Sequence, residues 1–240
     1  MIWINEEENR GFVGDAHSIP MFDDFDGLPQ ASFSGSGIPN NSVAITIVNS
    51  GQNTITLGLA ATQRFSNPAL GNDNNGTYFA TTGSNFGGNN QSSNEGALWN
   101  FSFFMEIEGG GTFADFDFKV LYDFDPASNT PDSDLGIIDL NPFFNQDNLI
   151  QDSQNLLFSF LAIDSLFIDA PSGAFNPNVA GEYSFALIAS NLPGFDEFEG
   201  RSAIDINVSA VPVPAALPLF GTGLAIMGFV GWRRRKAANA

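Results

Sequence analysis

An all-β fold, an antiparallel sandwich of eight to ten strands followed by one apolar C-terminal transmembrane helix, is what the sequence predicts. Three observations carry it. Apolar residues recur at every second position in several separate stretches, the period of a strand with one face on a core. The intervening residues are mostly Asn, Gly, Ser, Asp and Pro, which favour turns and oppose helices. No convincing amphipathic helix appears before the last 30 residues.

Residues 1–20 are expected to be poorly structured, and 21–209 to form the β-domain. The run Val43, Ile45, Ile47 makes one face of a first strand. Ile55, Leu57 and Leu59 repeat the pattern after a polar stretch at 49–53 that reads as a hairpin loop. Residues 66–97 are a long polar insertion with one short strand near 78–81. Trp99, Phe101, Phe103, Met105 and Ile107 share one parity, with Asn100, Ser102, Glu106 and Glu108 on the other. After Gly109-Gly110-Gly111, Phe116, Phe118, Val120, Tyr122 and Phe124 alternate with Asp115, Asp117, Lys119 and Asp123. Further strands are expected within 135–140, 156–168, 183–189 and 203–208. Their alternation suits two sheets packed on one core.

Charge excludes whole classes of function. The chain has 240 residues, 27 acidic and 8 basic, for a formal net charge of -19. Four of the bases are Arg233, Arg234, Arg235 and Lys236, so residues 1–232 hold 27 acids and four bases, a net of -23. Such a body repels phosphate backbones, so nucleic acid is not an expected partner. There is no cysteine, which removes disulfides, thiolate catalysis and Cys-ligated metals. His17 is the one histidine, and a Ser–His–Asp site would have to draw on it from the least structured segment.

The last 30 residues form a unit of their own, 210–240. Val211-Pro212-Val213-Pro214-Ala215 cannot continue a strand ladder, because proline lacks the N–H. Residues 215–232 then run uncharged for 18 positions. As a helix at about 1.5 Å per residue this spans roughly 27 Å, close to the ~30 Å of a bilayer's hydrocarbon core. Trp232 marks the boundary, and Arg233, Arg234, Arg235 and Lys236 would hold that end in the cytoplasm. A buried helix of a soluble protein would need a polar face, and this stretch offers only Thr222.

A Pro-x-Pro-Ala motif, an apolar helix and an Arg-rich tail, in that order, resemble the PEP-CTERM sorting signal of exported proteins in Gram-negative bacteria that make extracellular polysaccharide. Where the usual motif has Glu between its prolines this chain has Val213, and the run 214–219 is similar to the VPxPA variant. The resemblance covers about 30 of the 240 residues. It implies export, a temporary anchor in the inner membrane, cutting by an exosortase near the Pro-x-Pro motif, and residence at the cell surface or in the polysaccharide matrix. Members of the family begin with a signal peptide. Here Met1-Ile2-Trp3-Ile4 leads directly to Glu6-Glu7-Glu8, and a misassigned start or truncated gene model is the expected reason. The run 122–126 and the stretch around Tyr183 are also of a kind common in the extracellular parts of such proteins.

No catalytic residue is expected. The one metal candidate is the cluster Asp123, Asp125, Asp132 and Asp134, whose carboxylates are the ligands calcium takes. It departs from an EF-hand at Ala127, Ser128 and Asp134. The plainer account is a solvated acidic loop between two strands, and Asp23, Asp24 and Asp26 read the same way. Phe104, Phe143, Phe144, Phe195 and Phe198 are the aromatics expected at the surface, where rings would stack on sugars; unassigned Phe belongs more often to a core. Three functions follow. The first is a non-enzymatic exported protein with a sorting signal. The second is a calcium- or glycan-binding, adhesin-like module that keeps its single-pass anchor. The third is a carbohydrate hydrolase, which needs paired carboxylates in a cleft.

Overall fold

A computed structural model of the chain describes residues 28, 30, 31, 37–65, 70–86, 94–143, 148–191 and 199–210, and beyond them 222, 224 and 227. The segment 1–20, His17, the Asp23–Asp24–Asp26 group, the sorting motif at 211–215 and Trp232 to Lys236 lie outside the described residues. The chain divides into two compact units, Met1–Ala210 and Val211–Ala240.

In the first unit the strands are β1 (Ala44–Ser50), β2 (Asn53–Gln63), β3 (Thr77–Thr81), β4 (Ser84–Phe86), β5 (Glu95–Ala97), β6 (Trp99–Glu108), β7 (Phe116–Tyr122), β8 (Gly136–Asp139), β9 (Leu149–Gln154), β10 (Ile168–Asp169), β11 (Gly181–Asn191) and β12 (Glu199–Ser209). One sheet has the order β1-β2-β6-β9, a second β10-β8-β7-β11-β12-β3, and β4 pairs with β5 in a small hairpin. Twelve described strands thus replace the eight to ten expected. The sheets are also not wholly antiparallel, because β3 runs parallel to β12, with Tyr78 opposite Ile206. Alternation reports which face a strand buries and is silent on its direction, so this pairing was not legible in the pattern.

The register explains the core. Ile55, Leu57, Leu59 and Ala61 of β2 stand opposite Ile107, Met105, Phe103 and Phe101 of β6, and directly paired residues share a face. On the second sheet Tyr122, Phe185 and Ile204 share a row, as do Val120 and Leu187. These two faces meet. Phe101 stacks on Phe185 with ring centroids 4.7 Å apart, and Trp99 lies 5.8 Å from both Tyr183 and Phe175. Each fully buried large side chain adds about 1.5–3 kcal/mol of transfer free energy, so this aromatic seam is the main source of cohesion between the sheets. Two hydroxyls bridge them as well: Thr46 donates to the Arg201 carbonyl, and Ser202 to the Ala44 carbonyl, each at 3.0 Å.

Strand β1 corrects the expected face. Its partners in β2 place Ala44, Thr46 and Val48 on the inner row with Leu59, Leu57 and Ile55. Val43 and Ile45 point the other way, and Ile47 is 48% exposed. Both parities of this strand are apolar or β-branched, so period alone could not choose between them. Val43 and Ile45 are nevertheless buried, in one cluster with Leu28, Ala31, Ile38 and Phe104. Gly58 of β2 permits this cover, since a Cβ there would lie 2.9 Å from Leu28 Cδ1. Phe104, expected at the surface, is fully buried. On the same outer row Ser102 is buried and its hydroxyl has no partner among the described residues. Ser102→Ala is therefore expected to raise stability by about 1 kcal/mol in a denaturant titration.

Two further expectations change. The polar insertion at 66–97 holds three described strands, β3 to β5, where one was foreseen. The run 156–168 is a strand only at its last residue, Ile168, which opens β10; β9 ends before it and a 3-10 turn occupies Ser159–Ala162. Its apolar residues lack a period of two, and two of them serve different neighbours. Leu161 is buried and its carbonyl accepts from Tyr122 Oη at 2.6 Å, while the Leu157 amide bonds the Asn155 side chain. Beyond 210 the residues Thr222, Leu224 and Met227 are helical and exposed. Among the described residues no helix is long and apolar enough to cross a membrane.

Candidate functional site

The acidic loop follows β7 and folds over the outer face of the second sheet, where Leu121, Leu135, Ala186 and Ala203 form a small separate apolar cluster. Asp123 leaves the strand with its carboxylate buried, 1% exposed. Its Oδ1 accepts from the Asp125 amide at 2.8 Å, and Oδ2 from the Ser184 amide at 3.4 Å. Burial pushes its pKa up to about 6, against the pull of hydrogen bonds from Asp125, Thr130 and Ser184. Asp125 is exposed and accepts from the Ala127 amide. Asp132 is spoken for by Arg201, which grips both its oxygens at 2.7 and 3.0 Å. Asp134 is exposed and bonds the Ser133 hydroxyl.

The four carboxylates therefore serve four separate local roles. Asp123 starts a turn, Asp125 starts the next, Asp132 pins the loop to β12 and Asp134 faces outward. Among the described residues no group of three or more acids or histidines gathers to hold a metal ion. The spacing of these residues in the sequence suggested convergence. The intervening turns, including Asn129 at a positive φ of 63°, separate them.

A second site was not foreseen. A cleft of about 580 Å³ lies between the β4–β5 hairpin and the turn after β9, lined by Phe86, Asn94, Glu95, Phe158, Ser159 and Phe160, with Leu157. Phe86 and Glu95 are directly opposed across the hairpin. Phe158 and Phe160 present rings 6.1 Å apart and tilted by 32°. Phe86 is 67% and Phe160 46% exposed. These are the exposed aromatics that the sequence placed elsewhere; Phe144, Phe195, Phe198 and the side chain of Phe143 lie outside the described residues.

Two buried polar side chains fix the walls of this cleft. Arg64, just past β2, is 6% exposed. Its guanidinium donates to the Asn85 carbonyl at 2.8 Å and the Asn94 carbonyl at 3.1 Å, one on each arm of the hairpin. It also lies over the Phe65 ring at 4.5 Å. Asn155 is fully buried and joins the hairpin to the opposite wall. Its Oδ1 accepts from the amides of Ala97 and Leu157, and its Nδ2 donates to the carbonyls of Ala97 and Trp99 and to Asn100 Oδ1. Glu95 is held in turn by the Ser84 hydroxyl. The signal that could have marked this site is an isolated Arg in an acid-rich chain, which must be paired or hydrogen-bonded if it is buried.

Gly96 is what lets the arginine through, because a Cβ there would overlap the guanidinium itself. Gly96→Ala is expected to displace Arg64, leave the two hairpin carbonyls unbonded and lower stability by about 1–3 kcal/mol in a thermal melt.

Glu95 is the one carboxylate among the described lining residues of the larger cleft. A smaller hollow of about 340 Å³ beside β3, lined by Gln63, Phe79, Thr81 and Trp99 among others, has no charged residue among those described. Asp123, the acid with the raised pKa, lines neither. The class of protein this defines is an all-β body of two stacked sheets with a polar-aromatic cleft held by buried hydrogen bonds. No family model matches the chain, and no curated protein or solved structure matches it either.

Proposed function

We propose that the chain is an exported, non-enzymatic protein of the cell surface or extracellular matrix. Residues 211–240 act as a PEP-CTERM-type sorting signal, anchored briefly in the inner membrane and cut by an exosortase near the Pro-x-Pro motif. One observation carries the reading. The last described strand ends at Ser209 and the compact unit at Ala210, directly before Val211 and the two prolines. Cutting there would remove no described strand and no member of the apolar cores.

The charge distribution supports the same reading. Four consecutive bases directly after an uncharged stretch suit the cytoplasmic end of a membrane span. The carbohydrate hydrolase is the less favoured reading. Glycoside hydrolysis uses two carboxyl groups about 5–10 Å apart, and the larger cleft offers Glu95 alone among its described residues. Calcium is not part of the proposal, since Asp132 already neutralises Arg201.

The test is Pro212→Ala with Pro214→Ala, each chain placed behind an export leader and expressed in a host that carries an exosortase. The native chain is expected in the released fraction, cut near Pro212–Pro214 and lacking Arg233 to Lys236, and the double variant in the membrane fraction with that tail still attached. Identical partitioning of the two would contradict the proposal and leave a permanently anchored, adhesin-like protein as the better reading.

A further inference from the structure

We propose that the cleft between the β4–β5 hairpin and the 157–160 turn binds an uncharged carbohydrate chain. The proposal concerns the folded body alone and stands or falls independently of how the tail is processed.

The chemistry of the lining points to this ligand. A sugar ring presents a flat patch of C–H bonds ringed by hydroxyls, so it is recognised by aromatic faces with hydrogen-bonding groups beside them. The cleft has both. Phe86 stands on one wall and the tilted pair Phe158 and Phe160 on the other, with Asn94, Glu95 and Ser159 between and beside them. An apolar partner would bury the Glu95 carboxylate without offering it a hydrogen bond beyond the one from Ser84, and burying a charge in that way costs free energy. An anionic sugar polymer would meet Glu95 and a chain of net charge -19. Among the described residues the one base near the cleft, Arg64, is buried and occupied by the hairpin carbonyls. A neutral sugar meets neither obstacle.

The cleft is also built in advance. Phe86 and Glu95 cannot drift apart, because they are paired across a hairpin that Arg64 clamps from beneath. The opposing wall is tied to the same hairpin through Asn155, whose side chain bonds Ala97 on one side and Leu157 on the other. Walls fixed before the ligand arrives spare it the ordering cost that weakens binding at loose loops. A volume of about 580 Å³ falls within the range usual for small-molecule sites.

The experiment uses the full chain in a zwitterionic detergent that carries no sugar headgroup. Cellohexaose, laminarihexaose, maltohexaose and mannohexaose are titrated by calorimetry, with an oligouronate as the anionic comparison. At least one neutral hexasaccharide is expected to bind saturably and more tightly than the oligouronate. Phe86→Ala and Phe160→Ala are each expected to weaken it about tenfold while leaving the melting temperature unchanged, because both rings are largely exposed. Glu95→Gln serves as a second variant that preserves the apolar surface, and is expected to weaken binding several-fold. The proposal is overturned if none of the four sugars binds at millimolar concentration, if the oligouronate binds best, or if binding survives both ring deletions. Concentration-dependent self-association that disappears in Phe160→Ala would also overturn it, by showing that the rings dock a second copy of the chain.

Discussion

Replacing Asn155 with alanine is expected to lower the stability of the body by about 3–4 kcal/mol. The side chain is fully buried and makes five hydrogen bonds, to Ala97 twice and to Leu157, Trp99 and Asn100. Alanine removes all of them and leaves the amides of Ala97 and Leu157 facing a dry cavity. Each orphaned buried group costs about 1–3 kcal/mol, and the vacated volume adds a cavity cost. For a domain of this size the melting temperature should fall by roughly 10 °C. Hydrogen exchange should accelerate first at Ala97 and Leu157, because the damage begins where β5 meets the 157–160 turn. A loss below about 1 kcal/mol would mean that this residue does not hold the two walls together. The result bears on function too, since both walls of the cleft depend on it.

The second large effect is a pH dependence that one carboxyl imposes on folding. Asp123 ionises near pH 6 in the folded protein because burial disfavours its charge, and near pH 4 once unfolded. Its folded pKa is thus raised, so the unfolded chain gives up this proton first. Below pH 4 both states hold the proton and the group contributes no penalty. Between pH 4 and 6 stability falls as pH rises, because only the unfolded chain ionises. Above pH 6 the full cost is present, about 3 kcal/mol for a gap of roughly two units. Other carboxylates add their own slopes, so the informative quantity is the difference between the native chain and Asp123→Asn. That difference should fall by about 3 kcal/mol from pH 4 to pH 7 and level off above. A flat difference, or a carboxyl carbon at Asp123 that titrates at or below pH 4 by NMR, would contradict the account.

The strands with one apolar parity and one charged or polar parity were legible in the sequence. β6 and β7 lie where their Trp99–Ile107 and Phe116–Tyr122 stripes placed them, and both stripes face the other sheet. Legibility failed where both parities are apolar, as in β1, whose inner row is Ala44, Thr46 and Val48. It failed again at 156–168, where apolar residues without a period belong to a turn. The parallel pairing of β3 with β12 joins residues more than 120 positions apart, and local pattern carries no information about that choice.

The sites divide in the same way. Composition and spacing pointed to Asp123, Asp125, Asp132 and Asp134, but proximity in sequence says little about where turns send each side chain. Two of the four are committed to holding the loop, Asp123 to the Ser184 amide and Asp132 to Arg201. The cleft draws on residues from 64 to 160, and no short motif links them. What marked it in retrospect was polarity out of place. A buried Arg and a buried Asn, each hydrogen-bonded to the backbone around it, are costly unless they secure something.

The claim at the centre of this account is that the β-body ending at Ala210 is the working unit and the stretch from Val211 onward is its address. The most direct measurement is the intact mass and terminal peptides of the native protein, purified separately from membrane and secreted fractions. The account predicts a secreted form whose C-terminus lies close to Pro212–Pro214 and a membrane form that still carries Arg233 to Ala240. Recovery of all the protein from the membrane with that tail attached would contradict it.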